Sequence, residues 1–414
     1  MSRRLLASLL LTICLVLAAC TTPTARAPVG PLILISLDGF RWDYLDRYDA
    51  PTLRALATSG VHARRFVPSF PSKTFPNHYT LVTGLRPEHH GIVSNYFYDP
   101  VLQASFSKNL PGDNADARWW QQAEPVWITA EKQGVRTGTY FWPGSDAENH
   151  GLRSSLHQGW DPRIGTNRRV DGVLGWLALP PASRPRFCAL YLNVVDVVGH
   201  KNGPDSPEMA AAVKEADQAV ARLLAGLEQL GIREQTNLII VSDHGMSEQS
   251  LDRIAYLDDF VDLSQVRIES TGPNGGVRPL PGAPTAAELV RQMRAKAPPQ
   301  VRFYLRDEVP ARYQYRTNPR IPEIVFICDE NWNVETREAL AKFTGALDRG
   351  NHGWDPALPN MGALFIASGP SFCRNTRIGD VENIHLYNLV CAVLGVKPAA
   401  NDGDDRLVRA VLIH

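Results

Sequence analysis

Residues 32–39 read LILISLDG, six apolar or small residues that end abruptly in Asp38-Gly39. A short, uninterrupted apolar run without alternation suits a strand covered on both faces, as in a mostly parallel sheet. The same texture returns at Cys188–Val195, Leu238–Ser242 and Ala363–Ser368. Helical patterns lie between these runs; the clearest has Val213, Ala216, Val220, Leu223, Leu227 and Leu230 at spacings of three and four, stopped by Gly231. Strand–helix alternation predicts an α/β fold, a mostly parallel central sheet flanked by helices. From Glu248 to Arg349 proline and glycine cluster and the pattern loses regularity, which predicts a smaller subdomain inserted into the sheet domain. The expected division is a catalytic core over 31–247, an inserted subdomain over 248–349 and the end of the core over 350–414.

The residues at the ends of these runs carry the chemistry. The first run ends in Asp38, the second in Asp196 with His200 four residues on, and the third in Asp243-His244; Asn351-His352-Gly353 precedes the last. Ligands in open α/β sheets bind beyond the carboxyl ends of strands. Three aspartates and three histidines gathered there predict a metal site, and mixed imidazole and carboxylate donors suit zinc ahead of manganese or iron. A second signal is PSKTFPNHYTLVTG, Pro71 to Gly84. Thr74 precedes a proline and a short apolar pattern that Gly84 closes, so it is placed as a hydroxyl cap at a helix start, where unpaired N–H groups attract phosphate. As a nucleophile Thr74 needs a metal to lower its pKa, because no base adjoins it in sequence; Lys73 reads equally well as a surface residue.

Composition narrows the classes. Of 414 residues 44% are hydrophobic and 21% charged, which excludes collagenous, disordered and coiled-coil chains. Lys plus Arg and Asp plus Glu number 43 each, so no general field draws the chain to nucleic-acid polymers or anionic membranes. Residues 1–19 combine Arg3 and Arg4 with an apolar run too short to span a bilayer, and read as an export signal. The LAAC ending is similar to a bacterial lipobox, with Cys20 as the lipidated first mature residue; plain secretion is the alternative. Residues 20–30 read as a tether. Cys188, Cys328, Cys373 and Cys391 have no metal-ligand spacing, and buried thiols are expected at Cys188 and Cys328.

The strings LISLDGFRWDYL, PSKTFPNHYTLVTGLRPEHHGIVSNYFYDP, TYFWPGSD, YLNVVDVVGH, VSDHGM, GNHGWDPALPNMGALFIASGP and ENIHLYNLVCAVLG run from Leu34 to about Gly395. In that order the chain resembles the nucleotide pyrophosphatase/phosphodiesterase family of the alkaline phosphatase superfamily, in a bacterial single-domain form. The resemblance implies two zinc ions. Asp196, His200 and His352 match the ligands of one; Asp38, Asp243 and His244, with Thr74 as nucleophile, match those of the other. Asn95 matches the donor to a phosphoryl oxygen, and Phe75 and Tyr191 match positions that sandwich a nucleobase. His62, His78, His89, His90, His150, His157 and His385 are assigned structural or surface roles. The implied reaction is hydrolysis of nucleotide phosphodiester and phosphoanhydride bonds to 5′-nucleoside monophosphates through a covalent phospho-threonine.

A neutral Asn95 and no arginine in the nucleophile segment favour diesters over monoesters. The alternatives are phospholipase C-type cleavage of choline lysophospholipids, another phosphoester or phosphonate hydrolase, and a zinc-buffering surface lipoprotein. The string YLNVVDVVGH departs from the family at Asn193-Val194-Val195, where many relatives carry acidic residues and proline. Expected partners are small nucleotide-like substrates, with membrane contact only through the lipid anchor, and a monomer in the periplasm or anchored to the cell envelope.

Overall fold

A computed structural model describes residues 30–342 and 348–413. The export segment, Cys20 and all of the tether but Gly30 lie outside the described residues. In chain order the strands that matter are β1 (Leu32–Leu37), β2 (Val61–Ala63), β3 (Thr137–Tyr140), β4 (Leu156–Gln158), β5 (Phe187–Leu192) and β6 (Asn237–Val241). They continue with β7 (Val266–Ser270), β8 (Asn274–Pro279), β9 (Val301–Leu305), β10 (Ile324–Cys328), β11 (Phe365–Ser368) and β12 (Thr376–Ile378). The helices used below are α1 (Thr74–Thr83), α2 (Pro87–His90), α3 (Thr166–Leu177), α4 (Val194–Asn202), α5 (Pro207–Gln229) and α6 (Ala286–Lys296).

The central sheet has eight strands in the order β12-β2-β11-β6-β1-β5-β3-β4. Every pair is parallel except the two made by β11, which runs against both β6 and β2. All six residues of β1 are buried because its alternate side chains feed opposite layers. Leu32 and Leu34 join one apolar cluster with helix α1, which begins at Thr74; Ile33, Ile35 and Leu37 join the other with α3 and α5. Each such side chain contributes about 1.5–3 kcal/mol by leaving water, so the β1 run is as much a stability element as a frame.

The sequence boundaries hold for β1 and shift elsewhere. The second apolar run, expected as one strand to Val195, leaves the sheet at Leu192, and Val194 begins α4. Asp196 and His200 are therefore a helical i, i+4 pair facing one way, not residues trailing a strand. The amphipathic run at Val213–Leu230 is α5, with Leu230 as its C-cap and Gly231 left-handed. Between β6 and β11 the chain builds a second, fully antiparallel sheet in the order β7-β8-β10-β9, with α6 and an apolar cluster of its own. The four cysteines of the described residues are free thiols, and Cys188, Cys328 and Cys391 are buried. Among the described residues no helix is long and apolar enough to cross a membrane.

Candidate active site

Because β6, β1 and β5 are neighbours and parallel, their carboxyl ends open on one edge of the sheet. Asp38 follows β1, Asp243 and His244 follow β6, and α4 carries Asp196 and His200 after β5. This approach needs Gly39: at φ +69° it turns the chain, and a Cβ there would meet the Asp196 Cα at 2.9 Å. The Gly39 N–H donates to Asp243 Oδ1 at 3.3 Å. His352 arrives from the segment before β11, and its ring stacks on His244 with centroids 3.5 Å apart.

Six of the predicted residues thus form one cluster, buried except for the half-buried His200. His244 Nε2 lies 2.9 Å from Asp243 Oδ2 and 3.5 Å from Asp38 Oδ1. Asp196 Oδ1 lies 3.5 Å from His200 Nε2 and 3.7 Å from His352 Nε2, and those two nitrogens are 3.1 Å apart. Ligand atoms of Asp196, His200 and His352 lie within 4.8 Å of one another, as do those of Asp38, Asp196 and His244. Asp38 Oδ1, Asp196 Oδ1 and Asp243 Oδ2 are buried without a well-aligned hydrogen-bond partner, only the His244 and His78 nitrogens facing Asp243 Oδ2. Three carboxylate oxygens left that way cost far more than neutral polar groups unless a cation meets them. The donor set of carboxylate oxygens and imidazole nitrogens therefore fits divalent metal.

Electrostatics carry the same signature. Burial, then the facing carboxylates of Asp196 and Asp243, push the Asp38 carboxyl well above its usual range. Burial also acts on Asp243, but His244 and His78 outweigh it and hold that carboxyl low. Burial, then the neighbouring His244 and His200, press His352 toward the neutral, ligand-competent imidazole. His78, set aside by the sequence as structural or surface, belongs to this environment: fully buried, it places Nδ1 3.3 Å from Asp243 Oδ2 and pairs Nε2 with Ser36 Oγ at 2.8 Å. Its only sequence signal was its position four residues after Thr74, one helical turn along the same face.

Thr74 departs from its expected role in a useful way. The N-cap of α1 is Lys73, no side chain caps the helix, and Thr74 is its first residue. Its hydroxyl is not spent on the helix and stands 3.3 Å from His244 Nε2. Pro76 and the left-handed Gly84 bound the helix as the sequence implied. Lys73 is not a surface residue: its Nζ donates to the Asn274 carbonyl at 3.0 Å, joining α1 to the second sheet, and burial lowers its pKa to about 8. Asn95 accepts the Phe75 N–H on Oδ1 at 3.0 Å, which orients its amide and leaves Nδ2 to donate.

Beside this cluster lies a cavity of about 340 Å³ bounded by Asp38, Thr74, Phe75, Trp160, Tyr191 and Asp196, among others. Tyr191, expected as a base clamp, lines this cavity together with Phe75. Its ring is 7% exposed in the floor and its hydroxyl donates to Asp38 Oδ2. The aromatic that stands at the mouth is Trp160, 38% exposed, on the loop after β4. Tryptophan in an irregular segment gave no periodic signal, so the sequence passed it over. Phe141, at φ +63°, packs edge-on to Trp160 with centroids 5.2 Å apart. Asn193, at the departure in the family string, lines the same cavity. Arg86 takes no part; it pairs with Glu382 at 2.9 Å.

Residues 32–355 match the profile of a family described as type I phosphodiesterase / nucleotide pyrophosphatase. An uncharacterized pyrophosphatase/phosphodiesterase of Schizosaccharomyces pombe is 39% identical over 379 residues, covering 90% of this chain and 78% of that protein. Ectonucleotide pyrophosphatase/phosphodiesterase family member 1 of Mus musculus is 38% identical over 90% of this chain, which spans only 42% of that relative. The solved structure of murine ectonucleotide pyrophosphatase/phosphodiesterase 5 superposes with a TM-score of 0.87 at 32% identity, covering 92% of this chain and all of its own. An inactive variant of the same protein, solved in complex with AMP, matches equally well, over 93% of this chain.

Proposed function

The chain belongs to the type I phosphodiesterase / nucleotide pyrophosphatase family, and from that premise we propose that it hydrolyses nucleotide phosphodiesters and phosphoanhydrides, releasing 5′-nucleoside monophosphates. The observation that carries this reading is the uncapped Thr74 hydroxyl at a helix start, beside three buried carboxylate oxygens without a well-aligned hydrogen-bond partner. Asp196, His200 and His352 would hold one zinc ion, and Asp38, Asp243 and His244 with the Thr74 oxygen a second. Bound there, divalent cations supply charge neutralisation at phosphoryl oxygens and lower the pKa of the hydroxyl or water they touch.

The residues do the rest. Thr74 Oγ1 forms a bond to phosphorus as the bond to the leaving oxygen breaks, and water then cleaves the phospho-threonine ester from the opposite side. Asn95 Nδ2 donates to a non-bridging phosphoryl oxygen, its amide held in that sense by the Phe75 N–H. His78 keeps Asp243 in place from behind. A monoester dianion would ask for a cationic clamp; Asn95 is neutral and Arg86 is engaged elsewhere, so diesters are the better fit. Phe75 and Trp160 receive the nucleobase, with Tyr191 beneath them steadying Asp38. The protein is further read as exported, lipidated at Cys20, anchored to a bacterial envelope and active as a monomer.

The test is turnover of nitrophenyl thymidine monophosphate by the full chain, lost with chelator and regained with zinc. Acid quenching of the reaction should trap phosphate on Thr74. Turnover that survives exhaustive chelation, or a label on any other residue, would overturn the reading.

A further inference from the structure

The protein-side face of Trp160 is covered by a cation. Arg169, on α3, is 5% exposed, and its Cζ lies 5.2 Å from the Trp160 ring centroid and 4.9 Å from that of Phe141. Its Nε donates to the Ile164 carbonyl at 2.9 Å, and its Nη1 donates to the Tyr191 carbonyl at 3.2 Å and to Asn193 Oδ1 at 3.0 Å. Every acceptor is neutral. Among the described residues no carboxylate forms an ion pair with Arg169; Glu215 acts on it only at longer range and accepts the Thr166 hydroxyl. One side chain therefore ties the loop bearing Trp160, through Ile164, to the junction of β5 and α4 that presents Asp196. It also leaves an uncompensated positive charge behind the pocket's aromatic wall.

That charge governs which groups the open face of the ring accepts. Cations are drawn to the electron-rich face of an aromatic ring, and aromatic cages recognise quaternary ammonium groups in this way. On Trp160 and Phe141 the quadrupole already serves Arg169. A second cation on the outer face would meet a like charge across a poorly screening interior. A neutral nucleobase binds by stacking and carries no such penalty. We propose that Arg169 is a specificity-determining positioning residue, whose buried guanidinium behind Trp160 favours neutral planar bases and disfavours quaternary ammonium headgroups. The inference rests on the reading of Trp160 as the base platform.

The experiment compares kcat/KM for nitrophenyl thymidine monophosphate and nitrophenyl phosphorylcholine in the full chain and in Arg169→Lys, Arg169→Gln and Arg169→Met. The neutral variants should lower the nucleotide-to-choline ratio at least tenfold, with the choline ester turning over faster than in the parent. Arg169→Lys, which keeps the charge, should stay within threefold of the parent ratio. Equal losses on both esters, or a lysine variant as unselective as methionine, would overturn the proposal. Should the neutral variants fail to fold, competition on the unmodified protein decides. Phosphocholine should then bind at least tenfold more weakly than thymidine monophosphate, and comparable binding sinks the idea. Trp160→Ala separates the two levels: an unchanged ratio there removes the platform and Arg169 with it, whereas failure of the Arg169 variants alone leaves the platform standing.

Discussion

The phosphoryl and base halves proposed for the pocket are built by different means. The phosphoryl half grows from the sheet: Asp38, Asp243 and His244 follow adjacent parallel strands, so strand register delivers them to one point. The base half is assembled from segments with no shared register, namely Phe75 on α1, Phe141 after β3, Trp160 after β4 and Asn193 before α4. Strand ends are preset by a core in which every β1, β5 and β6 side chain is buried. Loop aromatics are held instead by one another and by a few hydrogen bonds. Chemistry should therefore tolerate almost no change in the first half, and selectivity should be separable in the second.

The sharpest way to break this contrast is Thr74→Ala. Loss of the proposed nucleophile should lower kcat by at least about 10³-fold, or roughly 4 kcal/mol of transition-state stabilisation. Metal content, measured by elemental analysis, should be unchanged, since the aspartate and histidine donors remain. Activity within tenfold of the parent would dissolve the distinction between the halves. Thr74→Ser should retain turnover, because α1 is not capped by this side chain.

Acid acts on the helix that carries Thr74, through a residue outside the cluster. His90 is wholly buried on α2, where its Nε2 lies 3.0 Å from Thr80 Oγ1 and its Nδ1 accepts the Ile92 N–H at 3.1 Å, so it buttresses α1. Burial lowers its pKa from the ordinary value near 6.5 to about 3. Between those values the unfolded chain binds a proton that the folded chain does not, so stability falls as pH drops below 6.5. At pH 4 the loss is about 3 kcal/mol. Urea titrations from pH 7 to pH 4 should show it, and His90→Gln should flatten that slope. An identical slope in the variant would reassign the acid sensitivity.

How far the sequence reached follows the same divide. Apolar runs ending in aspartate are legible because burial on both faces removes alternation and leaves a block with a marked end. The Asp38 and Asp243 placements followed from that alone. Helix α4 was not legible: Val194 and Val195 resume the apolar run after the single polar residue Asn193, which reads as an interruption of one strand, whereas Leu192 ends that strand and Asn193 is the N-cap of the helix. Trp160 was passed over, and of the structural or surface roles open to His78 the buried one could not be singled out, for a related reason. Each acts through a neighbour fixed by tertiary structure, Trp160 over Arg169 and His78 against Asp243. Residue type at a given spacing carries no trace of such contacts.

Trp160→Ala sharpens the comparison from the other side. Base stacking is worth about 1–3 kcal/mol, so kcat/KM for nitrophenyl thymidine monophosphate should fall roughly 5- to 150-fold. Turnover of bis-nitrophenyl phosphate, which has no base, should stay within threefold. A parallel loss on both substrates would show that the loop supports the phosphoryl half after all.

Tyr191→Phe gives the smallest effect and the most discriminating one, because Tyr191 lines the cavity and reaches Asp38 through its hydroxyl. The substitution keeps the ring in the cavity floor and removes only the hydroxyl that donates to Asp38 Oδ2. If Tyr191 served as a base clamp, its ring alone would suffice and the variant would match the parent. If instead it steadies the carboxylate, Asp38 loses a donor worth about 1.5–3 kcal/mol to a charged acceptor. Part of that is recovered when a cation binds the carboxylate. The expected outcome is a several-fold weaker affinity for zinc, read by competition with a chromogenic chelator. The ratio of nucleotide ester to bis-nitrophenyl phosphate should be unchanged. A shifted ratio with unaltered metal affinity would return Tyr191 to the base half and leave Trp160 as rim.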